Sequence, residues 1–132
     1  MKAVLQYRAS PGFAAIIDAA RGGVPVAIVD EDDAEGYARE MADAQVLLHV
    51  LKPVTAAMMD AAPGLKLIQK IGVGVNTIDL DAARARGIAV CNMPGTNSQA
   101  VAELTLGLML GALRQLAYLD PLTRAGNGWH PD

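Results

Sequence analysis

Residues 67–91 read LIQKIGVGVNTIDLDAARARGIAVC, and this stretch decides the fold class. Two short apolar runs, Leu67–Ile71 and Ile88–Cys91, flank a glycine-containing loop and a helix-like segment, Leu80–Arg86. Near-continuous apolar runs are typical of parallel strands that are covered on both faces. The stretch therefore predicts a strand–helix–strand unit of a parallel sheet.

The same alternation extends toward the N-terminus. Three more strands and three more helices are predicted there: strands Lys2–Gln6, Val24–Val29 and Gln45–His49, and helices Phe13–Ala20, Ala34–Met41 and Thr55–Ala61. Because crossovers between parallel strands are nearly always right-handed, we expect an α/β fold with a flavodoxin-like, doubly wound parallel five-stranded sheet. Asp79 is expected to cap the fourth helix, and Gly87 to follow its last turn.

The fifth predicted helix, from about Asn97 to Leu119, is long and apolar on every side. At 1.5 Å per residue it would span roughly 30 Å, and a helix that is apolar all round is normally buried all round. We therefore expect a second domain or a second subunit, as in a homodimer, to cover the 97–119 helix. The chain beyond it lacks periodicity, so residues 1–119 are interpreted as one domain and residues 120–132 as a linker.

The composition argues against several classes of function. The chain of 132 residues carries 14 acidic and 11 basic side chains, without the basic surface that nucleic acids require. Its single cysteine, Cys91, excludes an intrachain disulfide and favours a reducing, cytoplasmic location. The most apolar stretch, Leu104–Leu113, falls short of the roughly 20 residues that span a bilayer, so no membrane contact is expected. The acidic run Asp30–Asp33 fits no metal-binding loop and is expected to be a solvated turn.

The loop Gly72–Val75 is the first candidate site, because it follows a predicted strand directly. In doubly wound sheets the carboxyl ends of the strands form the ligand crevice. Glycines allow a tight turn, and its exposed N–H groups can hold an anion such as a carboxylate. An ordinary glycine-containing turn is the alternative. Thr77 stands where a dinucleotide fingerprint needs its third glycine, so this chain is not expected to bind a nicotinamide cofactor tightly by itself.

The segment NMPGTNSQAVAE, residues 92–103, is the second candidate site. Thr96 and Gln99 have the spacing of a capping box, which makes Thr96 the expected N-cap, with Ser98 as the alternative. Asn97 then lies at the start of a helix, where the N–H groups and the helix dipole favour negative charge. Its amide could donate to a bound carboxylate, or it could simply cap the helix.

Together, GVGVNTIDLDAARARGIAV and N-x-P-G-x-N-x-x-x-V-A-E-L-T resemble the first half of the D-isomer-specific 2-hydroxyacid dehydrogenases, especially the phosphoglycerate-dehydrogenase-like members. The resemblance is strongest from Leu65 to about Leu116. The motif Arg124-x-Gly126-x-x-Trp129 also resembles the family's segment before its nucleotide domain. The resemblance implies that residues 1–119 form the substrate-binding domain and that residues 120–132 lead toward an NAD-binding Rossmann domain.

The resemblance also implies roles for individual residues. The N–H groups of Val73 and Gly74 would bind the substrate carboxylate, and Asn97 would lie beside the substrate and the nicotinamide ring. Val73 and Val101 match positions that approach NAD or NADP in relatives. The family's catalytic arginine, glutamate and histidine lie later and have no counterpart in this chain. His49 does not match the catalytic position and is expected to be a partly buried polar residue or a pocket wall.

The function expected from the resemblance is hydride transfer between a nicotinamide and C2 of a small 2-hydroxy or 2-oxo acid in the complete enzyme, with this chain inactive alone. Members that handle phosphorylated substrates carry arginine where this chain has His49–Pro53. Lys52 offers only a point charge there, which argues against 3-phosphoglycerate. The alternative is a stand-alone flavodoxin-like module that binds a small carboxylate or docks on a partner protein. His130, in the tail, does not match the catalytic histidine either.

Overall fold

The computed structural model describes residues 1–128, in which five strands alternate with helices and a pair of helices follows. Trp129 and His130 lie outside the described residues. The elements are β1 Ala3–Gln6, α1 Pro11–Ala20, β2 Val26–Val29, α2 Ala34–Met41, β3 Val46–His49, α3 Ala56–Asp60, β4 Leu67–Lys70, α4 Leu80–Ala85, β5 Ala89–Cys91, α5 Ser98–Leu113 and α6 Leu116–Arg124.

The five strands form one parallel sheet in the order β2-β1-β3-β4-β5. This is the flavodoxin-like order, which confirms the predicted fold class. The register pairs Gln6 with His49 and His49 with Lys70. The last residues of β1, β3 and β4 therefore lie side by side at the carboxyl edge of the sheet, where ligands of such folds bind.

Local signals in the sequence explain where the helices begin. The Ser10 hydroxyl accepts a hydrogen bond from the Phe13 N–H at 3.2 Å, so α1 begins at Pro11, which suits the first helical position. Asp79 accepts from the Ala82 N–H at 2.9 Å, which confirms the predicted cap of α4. Gly87 follows α4 with φ of 67°, a left-handed conformation that favours glycine.

Residues 1–94 form the first of two compact units, and their core lies between the sheet and three helices. The sheet contributes Val4, Leu47 and Ile68, all of which are fully buried. Met41 of α2 and Met59 of α3 pack into the same cluster. In contrast, α1 has no buried residue. The buried core therefore lies on the face of the sheet that α2, α3 and α4 cover.

The second unit begins at Gly95 and contains two helices where one was predicted. The helix expected over residues 97–119 ends at Leu113, and α6 begins at Leu116 after a 66° bend. Gln115 adopts a left-handed conformation, with φ of 51°, and this single residue redirects the chain. The apolar pattern continues across the break, so hydrophobic periodicity cannot locate it.

Residues 120–124, which the sequence predicted as the start of a linker, belong to helix α6. Asp120 and Arg124 form an ion pair at 2.9 Å across one turn of α6. Such pairs, four residues apart, support a helix modestly. The compact units divide at Pro94 and Gly95, which differs from the expected boundary at residue 119.

The apolar side chains of α5 are exposed in the described part of the structure, residues 1–128. None of the residues of α5 is buried, and seven of its large apolar residues are more than half exposed: Val101, Leu104, Leu106, Leu108, Met109, Leu110 and Leu113. Among residues 1–128 no single helix is long and apolar enough to cross a membrane. Helices α5 and α6 meet the length and composition required only when they are taken together, and a 66° bend separates them.

Truncation of the central core side chain Leu47 to alanine should destabilise the first unit by about 2–5 kcal/mol, since a cavity remains beneath the sheet. Urea unfolding followed by circular dichroism measures this change. The matched control is Ile16→Ala, at a position that is 63% exposed, where the loss should stay below about 1 kcal/mol. Equal losses in the two variants would contradict the described core.

Candidate functional site

The loop after β4 lies at the carboxyl edge of the sheet and contains both glycines of the predicted site. Gly72 has φ of 141°, a conformation that L-amino acids rarely adopt. A Cβ atom added at Gly72 would lie 3.3 Å from Cε of Lys70, and one added at Gly74 would lie 3.0 Å from Oδ1 of Asn76. Both positions therefore favour glycine, Gly72 for its backbone conformation and Gly74 for the space around it.

Two hydrogen bonds connect this loop with the segment after β5. The Asn92 side-chain amide donates to the main-chain oxygen of Val73 at 2.8 Å, and the Met93 N–H donates to the oxygen of Gly72 at 2.9 Å. Asn92 is thus a site residue that the sequence analysis quoted within a motif without giving it a role. Its position directly after β5 is the signal that identifies it in retrospect.

The N–H groups of Val73 and Gly74 have the property that an anion-binding loop requires. Neither N–H donates to a group within residues 1–128, while the oxygen of Val73 is already bonded to Asn92. The Val73 side chain is 43% exposed, and Gly74 is exposed as well. Two consecutive N–H groups at an open strand end are suited to bind a carboxylate.

His49 lies beneath this loop and is fully buried, more completely than expected. Its Nε2 atom lies 2.8 Å from the Thr77 hydroxyl, and the Thr77 main-chain oxygen accepts from the Val54 N–H at 2.8 Å. Burial, with a smaller contribution from the charge of Lys70, lowers the pKa of His49 from 6.5 to about 4. His49 is therefore neutral at pH 7 and acts as a tether between β3 and the loop.

Lys70 supports the same edge from the end of β4. Its side chain is almost completely buried, and its ammonium group donates to the main-chain oxygen of Val50. The loop after β3 is thereby held against β4. A charged hydrogen bond of this kind fixes geometry more firmly than a neutral one.

A cavity of about 320 Å³ opens at this edge, beside the start of the glycine loop. Its lining comes from the ends of β1, β3 and β4 and from α1: Tyr7, Arg8, Ser10, Phe13, Val50 and Ile71. The rings of Tyr7 and Phe13 meet edge to face, with centroids 5.8 Å apart. No local sequence pattern indicates this cavity, because its walls come from segments far apart in the chain.

The acidic run is a largely solvated turn, as expected, although one carboxylate oxygen of Glu31 is buried. Arg8 contacts Asp30 at 3.0 Å and Asp32 at 2.6 Å, and Asp33 caps α2 through the Gly36 N–H at 2.8 Å. The Arg8 guanidinium lowers the pKa of the Asp30 carboxyl. Within the described part of the chain, no three His, Cys, Asp or Glu side chains converge as a metal ion would require.

The second unit holds the other predicted site residues. Asn97 occupies the N-cap position of α5, so the expected caps Thr96 and Ser98 are wrong. The Gln99 amide donates to the Glu103 carboxylate at 2.8 Å, one turn along the helix, instead of reaching back to the helix start. Asn97 makes no side-chain capping bond, and Val101 in the first turn is 53% exposed.

A family model for the catalytic domain of the D-isomer specific 2-hydroxyacid dehydrogenases matches residues 4–126. The match includes the glycine loop, Asn92 and the start of α5. The fold, the loop at the carboxyl edge and this match agree with one another. The chain belongs to the D-isomer specific 2-hydroxyacid dehydrogenase family, which confirms the resemblance found in the sequence.

Individual proteins and a solved structure are also similar to this chain. Glyoxylate reductase from Thermofilum pendens is 40% identical over 101 residues, or 74% of this chain and 30% of that protein. D-3-phosphoglycerate dehydrogenase from Mycobacterium leprae is 40% identical over 103 residues, or 77% of this chain and 20% of that protein. NAD-dependent formate dehydrogenase from Staphylococcus aureus in complex with NAD has a TM-score of 0.77 at 26% identity, covering 98% of this chain and 43% of that one. The chain thus spans less than half the length of these relatives.

The low pKa of His49 predicts a pH-dependent stability. Its folded-state pKa of about 4 lies below the ordinary 6.5, so the unfolded chain binds a proton first as the pH falls. The stabilisation is complete above pH 6.5 and is lost as the pH falls toward 4, by up to about 3 kcal/mol. Urea unfolding of the wild type and of His49→Gln, measured across this range, isolates the contribution.

The His49→Gln variant should lack this part of the pH dependence, because glutamine does not titrate. Other groups that titrate in the same range remain in both proteins and cancel in the difference between the two curves. Two curves that run parallel from pH 6.5 to pH 4 would show that the imidazole is not held in its neutral form.

Proposed function

We propose that this chain is the substrate-binding part of an NAD(P)-dependent D-2-hydroxyacid dehydrogenase, and that its glycine loop binds the carboxylate of a small 2-hydroxy or 2-oxo acid. The observation that carries the proposal is the pair of N–H groups at Val73 and Gly74, which have no acceptor among residues 1–128. They lie in a loop that the family match includes. Hydrogen bonds from two N–H groups to one carboxylate would fix the orientation of the acid.

The neighbouring cavity suits the remainder of such an acid. Val50 and Ile71 give it an apolar wall, and the charge of Arg8 is balanced by Asp30 and Asp32. Lys52 is directed elsewhere, because its ammonium group donates to the main-chain oxygen of Glu31 and lies 3.8 Å from Asp32. This arrangement supports an unphosphorylated acid as the substrate.

The residues present suit only one end of a nicotinamide cofactor. Val73 and Val101 expose apolar side chains of the kind that contact a nicotinamide ring, and Asn97 at the start of α5 has an amide without a capping role. When bound, NAD or NADP would supply the hydride. The sequence contains no G-x-G-x-x-G motif to hold a pyrophosphate, so we propose that a separate Rossmann domain binds most of the cofactor.

The exposed apolar surface of α5 and α6 is suited to a partner. We propose that the Rossmann domain or a second copy of the chain covers it, and that the chain after α6 leads toward that domain. A groove of about 610 Å³ opens where the two helices meet, lined by Leu108, Leu116 and Tyr118 among others. Large contiguous patches of exposed apolar side chains usually mark interaction sites. A cytoplasmic location remains part of the proposal, supported by the single exposed cysteine, Cys91.

Replacement of Gly72 by alanine should weaken the binding of pyruvate at least about 10-fold, because a side chain at φ of 141° strains the loop that presents the two N–H groups. Isothermal titration measures the affinity. The matched control is Gly12→Ala, at a helical position with ordinary φ and no atom within 4 Å of the added methyl group. Unchanged affinity in a folded Gly72→Ala protein would contradict the proposed grip.

The purified chain should not oxidise NADH in the presence of pyruvate, since it lacks the family's catalytic arginine, glutamate and histidine and the pyrophosphate site. The absorbance of NADH at saturating pyruvate measures this directly. Steady turnover would contradict the proposed division of the site between domains.

A further inference from the structure

A second cavity, of about 250 Å³, lies between α2 and α3, away from the glycine loop. Small side chains leave the space between the two helices open: Ala34 and Ala38 on α2, Ala57 on α3, and Ala61 directly after α3. These four alanines are exposed, so a small molecule can reach the cavity from solvent. Tyr37 and Met58 complete its apolar wall.

The cavity also contains two hydrogen-bond acceptors that are buried without a donor. Gln6, at the end of β1, is only 2% exposed, and its Oε1 atom has no partner within residues 1–128. The Oε1 atom of Glu31 is buried and lacks a donor in the same part of the chain. Both residues line the cavity. Buried acceptors without donors cost free energy, so this site favours a molecule that brings N–H groups.

Two donors of the protein beside the cavity, on Lys52 and Tyr37, have acceptors other than the Oε1 atoms of Gln6 and Glu31. The ammonium group of Lys52 donates to the main-chain oxygen of Glu31 and faces Asp32 at 3.8 Å. The Tyr37 hydroxyl donates to the main-chain oxygen of Met58 at 3.5 Å. A ligand therefore has to supply the donors that Gln6 and Glu31 accept.

We propose that this cavity binds a small primary ammonium compound with a short branched alkyl group. A primary ammonium has three N–H donors and no acceptor, so one group can serve both the amide oxygen of Gln6 and the carboxylate of Glu31. A hydroxyl group offers a single donor and no charge. The alkyl group would lie against the alanines and Met58, where it removes apolar surface from water. The proposal is independent of the carboxylate site and of the proposed function.

Titration of the ¹⁵N-labelled 132-residue chain with isobutylammonium chloride tests the proposal. Saturable shifts of the Gln6 side-chain amide and of the Glu31 N–H are expected, with a dissociation constant on the order of millimolar for so small a ligand. Isobutanol and isovalerate are the neutral and anionic controls, and both should bind at least about 10-fold more weakly. Failure of the ammonium to shift either group, or equal binding of isobutanol, would overturn the proposal.

Two pairs of variants sharpen the result. Glu31→Gln should weaken isobutylammonium binding at least about 10-fold, whereas Glu35→Gln, on the exposed first turn of α2, should not. Ala38→Leu should block the cavity, whereas Ala19→Leu, exposed on α1, should leave binding unchanged. If all four variants bind alike, the ligand occupies another surface and the proposal fails.

A variant that removes the charge of Lys52 distinguishes a cation-binding cavity from an anion-binding one. In Lys52→Met the positive charge beside the cavity is lost, so a cationic ligand should bind at least as tightly as it does to the wild type. Preferential binding of isovalerate that disappears in Lys52→Met would identify an anion site and overturn the proposal.

Discussion

The parallel register places Gln6, His49 and Lys70 in one row at the carboxyl edge of the sheet, and all three side chains are buried. Buried polar groups require partners, and the partners of two of them are the loops above the sheet. His49 bonds to Thr77 and Lys70 bonds to Val50, so the conformation of both loops depends on these contacts. His49, placed in this row by the strand register, thus holds the loop that presents Val73 and Gly74 through its bond to Thr77.

The third member of this row behaves differently. The side-chain oxygen of Gln6 has no partner among residues 1–128 and lines the cavity between α2 and α3. Paired residues at the same edge of the sheet therefore contact two separate features of the first unit. His49 bonds to the loop after β4, and Gln6 lines the second cavity. The two proposed ligands differ in charge, because the loop would offer N–H donors to an anion whereas the cavity would offer acceptors to a cation.

Sequence patterns predicted the elements of the first unit well. Each strand and each of the first four helices lies within two residues of its expected bounds, because continuous apolar runs, Asp79 and Gly87 are local signals. Local signals failed in the second unit, where a left-handed Gln115 breaks the helix within an unbroken apolar pattern. They also misplaced the start of α5, where Asn97 instead of Thr96 is the N-cap and Gln99 bonds forward to Glu103.

The role proposed for Val73 and Gly74 came from combining the position of the loop with the family resemblance. Spacing alone allowed an ordinary turn, and only the three-dimensional structure shows that the two N–H groups have no acceptor among residues 1–128. The tether from His49 and the clamp from Asn92 join residues that are 28 and 19 positions away from their partners. Such contacts depend on which strands are neighbours, and a single sequence does not record that directly.

The account rests most directly on the Val73 and Gly74 amides, and an NMR titration of the ¹⁵N-labelled chain with pyruvate observes both. If these N–H groups bind the carboxylate, their proton resonances move downfield together with one saturation curve, and the neutral methyl ester of pyruvate leaves them in place. Shifts that are largest elsewhere, or that the ester reproduces, would contradict carboxylate binding by this loop.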